Sequence, residues 1–308
     1  MQPDISKISI NDNKNLIKQF VLDMIINPRV LSHKWSKITN QTPNLKIGYP
    51  GQHLASLILG MKGDATGARG NDICDGTEVK SCSKIDQSDK CRECKTNVLR
   101  SQKLCPFCGS EKIKRNNDSK WLIGVRSEDE LKMATKETPR FLFLITDYPF
   151  FNEENYNDIR IRAFEIYPNA DRCKCFVELL TNYYNYIYLP HIKQDPKATP
   201  APKNLFPDNF PFYMCNPVKV FQCDITNSLG ENPNIYISHY IEPNQDRTNL
   251  TSEIMPKALL NKEELKILAD SGVDISNGVD ENARKFLKLR DTDKKIKIIG
   301  KKQHKVSK

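Results

Sequence analysis

No apolar run in the 308-residue chain is long enough to span a bilayer, and no apolar signal segment follows Met1. A membrane protein and a secreted disulfide scaffold are therefore not expected, and the chain reads as soluble, cytoplasmic and reduced. Histidine is scarce. His33, His53, His191, His239 and His304 are scattered without metal-binding spacing, and only His239, on an expected strand, invites a test. The glycines at 60, 63, 67 and 70 are not closed by Gly-Lys-Ser or Gly-Lys-Thr, so they form no phosphate-binding P-loop. A Gly-x-Ser-x-Gly nucleophile motif and an internal repeat are also missing.

What is present concentrates in one stretch. Cys91-Arg-Glu-Cys94 and Cys105-Pro-Phe-Cys108 are two Cys-x-x-Cys knuckles separated by ten residues, the spacing of a four-thiolate tetrahedral zinc site. Four thiolates leave no open coordination position, so this zinc is expected to be structural and not catalytic. The other cysteines, Cys74, Cys82, Cys173, Cys175, Cys215 and Cys223, sit in apolar or alternating segments and are expected to be packing residues.

Charge is distributed unevenly. Of a formal net charge of +9, residues 80–126 carry 12 basic and 5 acidic side chains and residues 281–308 carry 11 and 3, which leaves the remainder mildly acidic. Basic charge gathered on a zinc ribbon and a tail is the footprint of a polyanion binder.

Periodicity supplies a frame. Leu16, Ile17, Phe20, Val21, Met24 and Ile25 recur at helical spacing over 12–26, with Pro28 expected to end the run, and a second helix fits 52–59. An open loop carrying Lys62 and Arg69 follows. Strands are expected over 77–82, 121–125, 140–147, 158–167, 217–224 and 234–241, with the zinc ribbon inserted between the first two. A helix fits 171–185, although the aromatic run Tyr183, Tyr184, Tyr186 and Tyr188 also permits a strand. Six prolines in 190–213 predict a long surface loop. Asn261 with Glu264 forms a capping-box pattern opening one helix, and Asp280 opens another toward the tail.

Just before the ribbon lie Asp72, Asp75 and Glu78-Val79-Lys80. Alternation puts Glu78 and Lys80 on one face of a strand with Val79 turned inward, and a bend can bring Asp72 beside Glu78. Two carboxylates and a lysine in this arrangement suit Mg²⁺ held against a phosphodiester, with the lysine beside the attacking water. Asp75 is the competing acid, ranked second because it falls on the opposite face of an extended chain.

The string Asn71-Asp72-Ile-Cys-Asp-Gly-Thr-Glu78-Val-Lys80 resembles the signature of the PD-(D/E)xK nucleases, above all type II restriction endonucleases. The longer string from Gly63 through Glu78-Val-Lys-Ser-Cys-Ser into the Cys91 to Cys108 ribbon is similar to the MamI-type restriction enzymes. This resemblance implies an α/β PD-(D/E)xK core with a mixed central sheet flanked by helices, plus the inserted zinc ribbon. It also implies Mg²⁺-dependent cleavage of double-stranded DNA by a homodimer, with a DNA methyltransferase as a genetic rather than physical partner. Asp72 and Glu78 become metal ligands and Lys80 the water-side lysine. Two departures stand out: Asn71 replaces the proline that often precedes the first aspartate, and Gln52, His53 and Ser56 occupy the helix where many relatives carry a glutamate, with Gln52 or His53 as a substitute.

The resulting division is 1–84 for the N-terminal helices and catalytic motif, 85–120 for the ribbon, 121–250 for the remaining core and recognition loops, and 251–308 for the C-terminal helices and tail. Lys90, Arg92, Lys112, Lys114 and Arg115 are the expected phosphate contacts, and base readout falls to the ribbon, the proline-rich stretch or 204–216. Two alternatives remain open: a non-catalytic zinc-ribbon nucleic-acid-binding protein, and a repair or nicking nuclease on the same core.

Overall fold

The computed structural model describes residues 2–65 and 71–290; Gly67, Arg69 and Gly70 of the predicted loop and residues 291–308 of the basic tail lie outside the described residues. Helix α1 (Asn13–Val21) buries Ile17 and Val21. The helix does not end before Pro28. It passes through a π-helical stretch, Leu22–Ile26, into α2 (Asn27–Thr39), with Pro28 in the first turn of α2. The widened turn, in which the Asn27 N–H bonds the Leu22 carbonyl, makes proline's missing donor inexpensive at that position. Helix α3 (Gly48–Leu59) then buries Leu54, Ala55, Ile58 and Leu59 and stops at Gly60, whose φ of +66° suits glycine.

Strand β1 (Glu78–Ser83) opens the central sheet. The ribbon follows as β2 (Asp89–Cys91), β3 (Asn97–Val98) and β4 (Ile113–Lys114), a separate three-stranded sheet of order β3-β2-β4. After β5 (Trp121–Ile123) comes α4 (Glu128–Lys132), absent from the sequence frame although Ser127 and Glu130 form a start signal: the Ser127 hydroxyl accepts from the Glu130 N–H. Strands β6 (Phe141–Asp147) and β7 (Ile159–Ile166) lead to α5 (Lys174–Tyr183), and the aromatic run continues as helix through a π-helical stretch, Tyr184–Tyr188, into α6 (Leu189–Gln194).

The proline-rich stretch is not a surface loop throughout. Pro190 closely follows the π-helical stretch, as Pro28 does, and Pro211 falls in the first turn of α7 (Phe210–Met214), where no donor is needed. Between them β8 (Lys203–Leu205) pairs with β5, and Phe210, Phe212, Tyr213 and Met214 are buried. Strands β9 (Val218–Thr226) and β10 (Asn234–Tyr240) complete the sheet, and α8 (Lys262–Asp270) has the full Asn261–Glu264 capping box. Helix α9 (Glu281–Arg284) is capped by Asp280.

The sheet has the order β1-β6-β7-β9-β10, with β1 parallel to β6 and every other pair antiparallel, so it is mixed and flanked by helices. All seven residues of β6 are buried, as a strand covered on both faces requires. Trp121, fully buried, donates its indole N–H to the Leu144 carbonyl at 2.7 Å. Cys82, Cys173, Cys215 and Cys223 belong to the main core, with Cys74 and Cys175 packed against it. His239 bonds the Lys219 carbonyl at 3.0 Å, a backbone tie within the β9–β10 pair.

Candidate active site and zinc site

The acid cluster is built by a turn placed against a helix. Asp72 and Ile73 both donate their N–H to the Thr77 carbonyl, the Asp75 carboxylate accepts from the Thr77 N–H, and Gly76 closes the turn at φ +92°. An L side chain would be strained at that φ. The turn delivers the Asp72 carboxylate to the Val79 N–H at 2.7 Å, while Val79 itself points into the core. On the other side, α3 approaches β1 so closely that a Cβ on Gly51 would lie 1.9 Å from the Ser81 hydroxyl. That contact seats Gln52, whose amide donates to Asp72 at 2.5 Å. Gln52 thus stands against the first acid. His53, on the same helix, instead faces the ring of Phe20 at 6.2 Å.

Glu78 and Lys80 share a face of β1, and the Lys80 ammonium lies 2.5 Å from the Glu78 carboxylate. About a quarter of each side chain is exposed. Burial raises Asp72 above the ordinary carboxylate value despite the Val79 N–H and Lys80. Burial likewise raises Glu78, against the pull of Lys80, and the neighbouring Asp72 charge pushes it further the same way. Two partly buried carboxylates with a single lysine acting on both form a site short of positive charge. Such an oxygen donor set fits Mg²⁺.

Asp75 lies elsewhere. Its carboxylate is fully buried and pairs with Arg140 at 2.8 Å; Arg140 reaches Glu165 at 3.5 Å, and Glu165 pairs with Arg247 at 2.7 Å. Tyr167 donates to the same Glu165. This chain of buried charges had no local sequence signal, because its members come from segments between 25 and 82 residues apart. A second buried cluster joins Asp86 to Arg29 at 2.6 Å, His33 at 2.9 Å and Tyr148 at 2.8 Å.

The four ribbon thiols converge. The sulfurs of Cys91, Cys94, Cys105 and Cys108 all lie within 4.8 Å of one another, with Cys91–Cys108 at 3.6 Å and Cys94–Cys105 at 3.5 Å. A tetrahedral zinc with bonds of about 2.3 Å requires sulfur–sulfur edges of roughly 3.8 Å, so the set fits a structural zinc ion. Burial of Val98 and packing of Ile113 give the ribbon a small core of its own.

The ribbon's basic residues divide in two. Arg115 is turned inward, pairing with fully buried Asp89 at 2.9 Å, which makes it an anchor where the sequence suggested a phosphate contact. Arg100 pairs with the same Asp89 and lies over the rings of Tyr156, Phe151 and Tyr148, fixing the ribbon to the body. Lys112 is exposed but paired with Glu93. Lys90 and Lys114, both exposed, stand directly opposite each other across β2 and β4, and Arg92 is exposed beside them. Like charges in that position repel, a cost that a bound polyanion relieves.

A mixed sheet flanked by helices, with an acid–lysine cluster beginning its edge strand, defines a chain of the PD-(D/E)xK restriction-endonuclease-like fold. The family description "MamI restriction endonuclease" matches residues 34–258, and the chain belongs to that family. The type II restriction enzyme MamI of Microbacterium ammoniaphilum is 32% identical over 77 residues, a quarter of this chain and a quarter of that enzyme's length. No solved structure matches. Among the described residues, no helix is long and apolar enough to cross a membrane.

Proposed function

We propose that the chain is a type II restriction endonuclease that hydrolyses phosphodiester bonds at specific sites in double-stranded DNA, in the cytoplasm and as a homodimer. A DNA methyltransferase of the same specificity would be its genetic partner. One observation carries this reading: Asp72 and Glu78 are both held half-buried and raised, with Lys80 as the neighbouring cation. A divalent metal such as Mg²⁺, when bound there, would acidify a water molecule and neutralise charge developing on the phosphate.

The residues divide the remaining work. Asp72 and Glu78 would hold the metal, Gln52 and the Val79 N–H fixing the orientation of the first carboxylate. Lys80 would exchange its contact with Glu78 for the attacking water and the scissile phosphate. Lys90, Arg92 and Lys114 would grip the duplex backbone, giving affinity without sequence preference. Family membership supports the nuclease class.

The test is digestion of unmethylated phage DNA by the purified chain, with Mg²⁺ and with EDTA, beside Lys80→Ala. Discrete Mg²⁺-dependent fragments that vanish in the variant are expected. Intact DNA in every lane with a retained gel shift would favour a binding protein, and a product cut on one strand would favour a nicking or repair nuclease.

A further inference from the structure

Helix α2 carries an apolar stripe that the body leaves uncovered. Leu31, Trp35 and Ile38 recur at steps of four and three residues and are 56%, 57% and 67% exposed, whereas Arg29 and Ser36, from the other side of the same helix, are buried. The stripe continues toward a largely apolar groove of about 190 Å³, whose lining includes Met24, Pro28, Ile47 and Pro50. Met24 is itself 44% exposed, and Tyr49, next to Pro50, is 67% exposed. Isolated exposed apolar residues are ordinary on a soluble protein, but a contiguous set of this size marks an interaction surface.

We propose that this face is the contact between two copies of the chain, crossing on a twofold axis near Trp35. The proposal rests on the double-strand cleavage reading: two strands need two reaction centres, and the described residues of one chain contain a single acid–lysine cluster of this kind. Area agrees. The exposed parts of Trp35 and Tyr49 contribute roughly 100–150 Å² each, and with Leu31, Ile38 and Met24 the pair of faces buries on the order of 1,000 Å², the threshold of a specific dimer. DNA is the weaker occupant because Leu31, Trp35 and Ile38 are all apolar; of the cations nearby, Lys34 and Lys37 share with Ile38 the lining of a neighbouring cavity and Lys46 lines the groove.

The chain supplies its own reporter. It has two tryptophans, and Trp121 is buried with its indole N–H satisfied, so changes in quenching on dilution come from Trp35. The experiment is sedimentation velocity with iodide quenching on the full chain, without DNA, over roughly three decades of concentration. A dimer with Trp35 shielded at the upper end, dissociating as Trp35 becomes quenchable, is expected. Trp35→Lys and, independently, Ile38→Lys should weaken association by about ten-fold or more while the Trp121 emission stays unchanged as the check on folding. A monomer at every concentration, a dimer indifferent to both variants, or shielding of Trp35 only when DNA is added would each overturn the proposal. Sedimentation requires no cleavage, so an inactive dimer would refute the nuclease reading alone, and an active monomer would refute this contact alone.

Discussion

Asp72 and Asp75 are three residues apart in one turn, yet the fold gives them opposite electrostatic surroundings. Asp72 faces a half-exposed site in which two acids share one lysine. Asp75 is buried and matched by Arg140, within a chain of buried charges that includes Glu165 and Arg247. An incompletely neutralised cluster has capacity for a cation, whereas a neutralised and buried one has none to spare; its members are costly to remove because each leaves a partner behind. Neighbouring acids in a motif are thus told apart by what pairs with them, not by spacing.

The largest effect that would break this contrast is on turnover. Lys80→Ala and Glu78→Gln should each lower Mg²⁺-dependent cleavage by about 10²–10⁴-fold, Glu78→Gln without lowering the melting temperature, as read by a plasmid assay beside calorimetry. Next comes the buried chain: Glu165→Gln, which deprives Arg140 and Arg247 together, should cost about 3–5 kcal/mol in denaturant titration. A smaller and local effect follows chelation of the thiolate-bound metal. Removing it should make residues within 85–120 sensitive to protease while the main cooperative transition persists, since the ribbon core of Val98, Cys91 and Cys105 is separate from that of the body.

The smallest effect is one of sign in the pH dependence. Asp72 and Glu78 are raised in the folded state, so their ionisation costs stability as pH rises from the ordinary carboxylate range through their folded values. Glu165 behaves oppositely: burial opposes its ionisation, but Arg140 and Arg247 outweigh that and hold it low, so its contribution is present at neutral pH and lost as pH falls through its folded value. Asp72→Asn should therefore raise the melting temperature at neutral pH and lose that advantage in acid. Melting curves across pH would check both directions.

Much of the site was legible because its signals are local. Alternation across Glu78, Val79 and Lys80, a bend between Asp72 and Glu78 and the two Cys-x-x-Cys pairs each act over a few residues, whereas the turn's closure at Gly76 was not read from the sequence. The sheet order and the buried arginines were not, because pairings such as Arg140 with Asp75 and Arg247 with Glu165 join distant segments. Arg115 looked like a free cation for the same reason: its partner Asp89 is 26 residues away. Proline misled at positions 28, 190 and 211 because its effect depends on the turn before it: Pro28 and Pro190 each follow a π-helical stretch inside a continuing helix, and Pro211 opens α7.

The most direct test of the central contrast pairs Asp72→Asn with Asp75→Asn in one experiment, measuring Mg²⁺-dependent DNA cleavage at a temperature where both are folded and the melting temperature of each. Asp72→Asn should be inactive and at least as stable as the parent, and Asp75→Asn should be markedly less stable yet still cleave. Cleavage by Asp72→Asn, or an inactive Asp75→Asn with undiminished stability, would contradict the assignment.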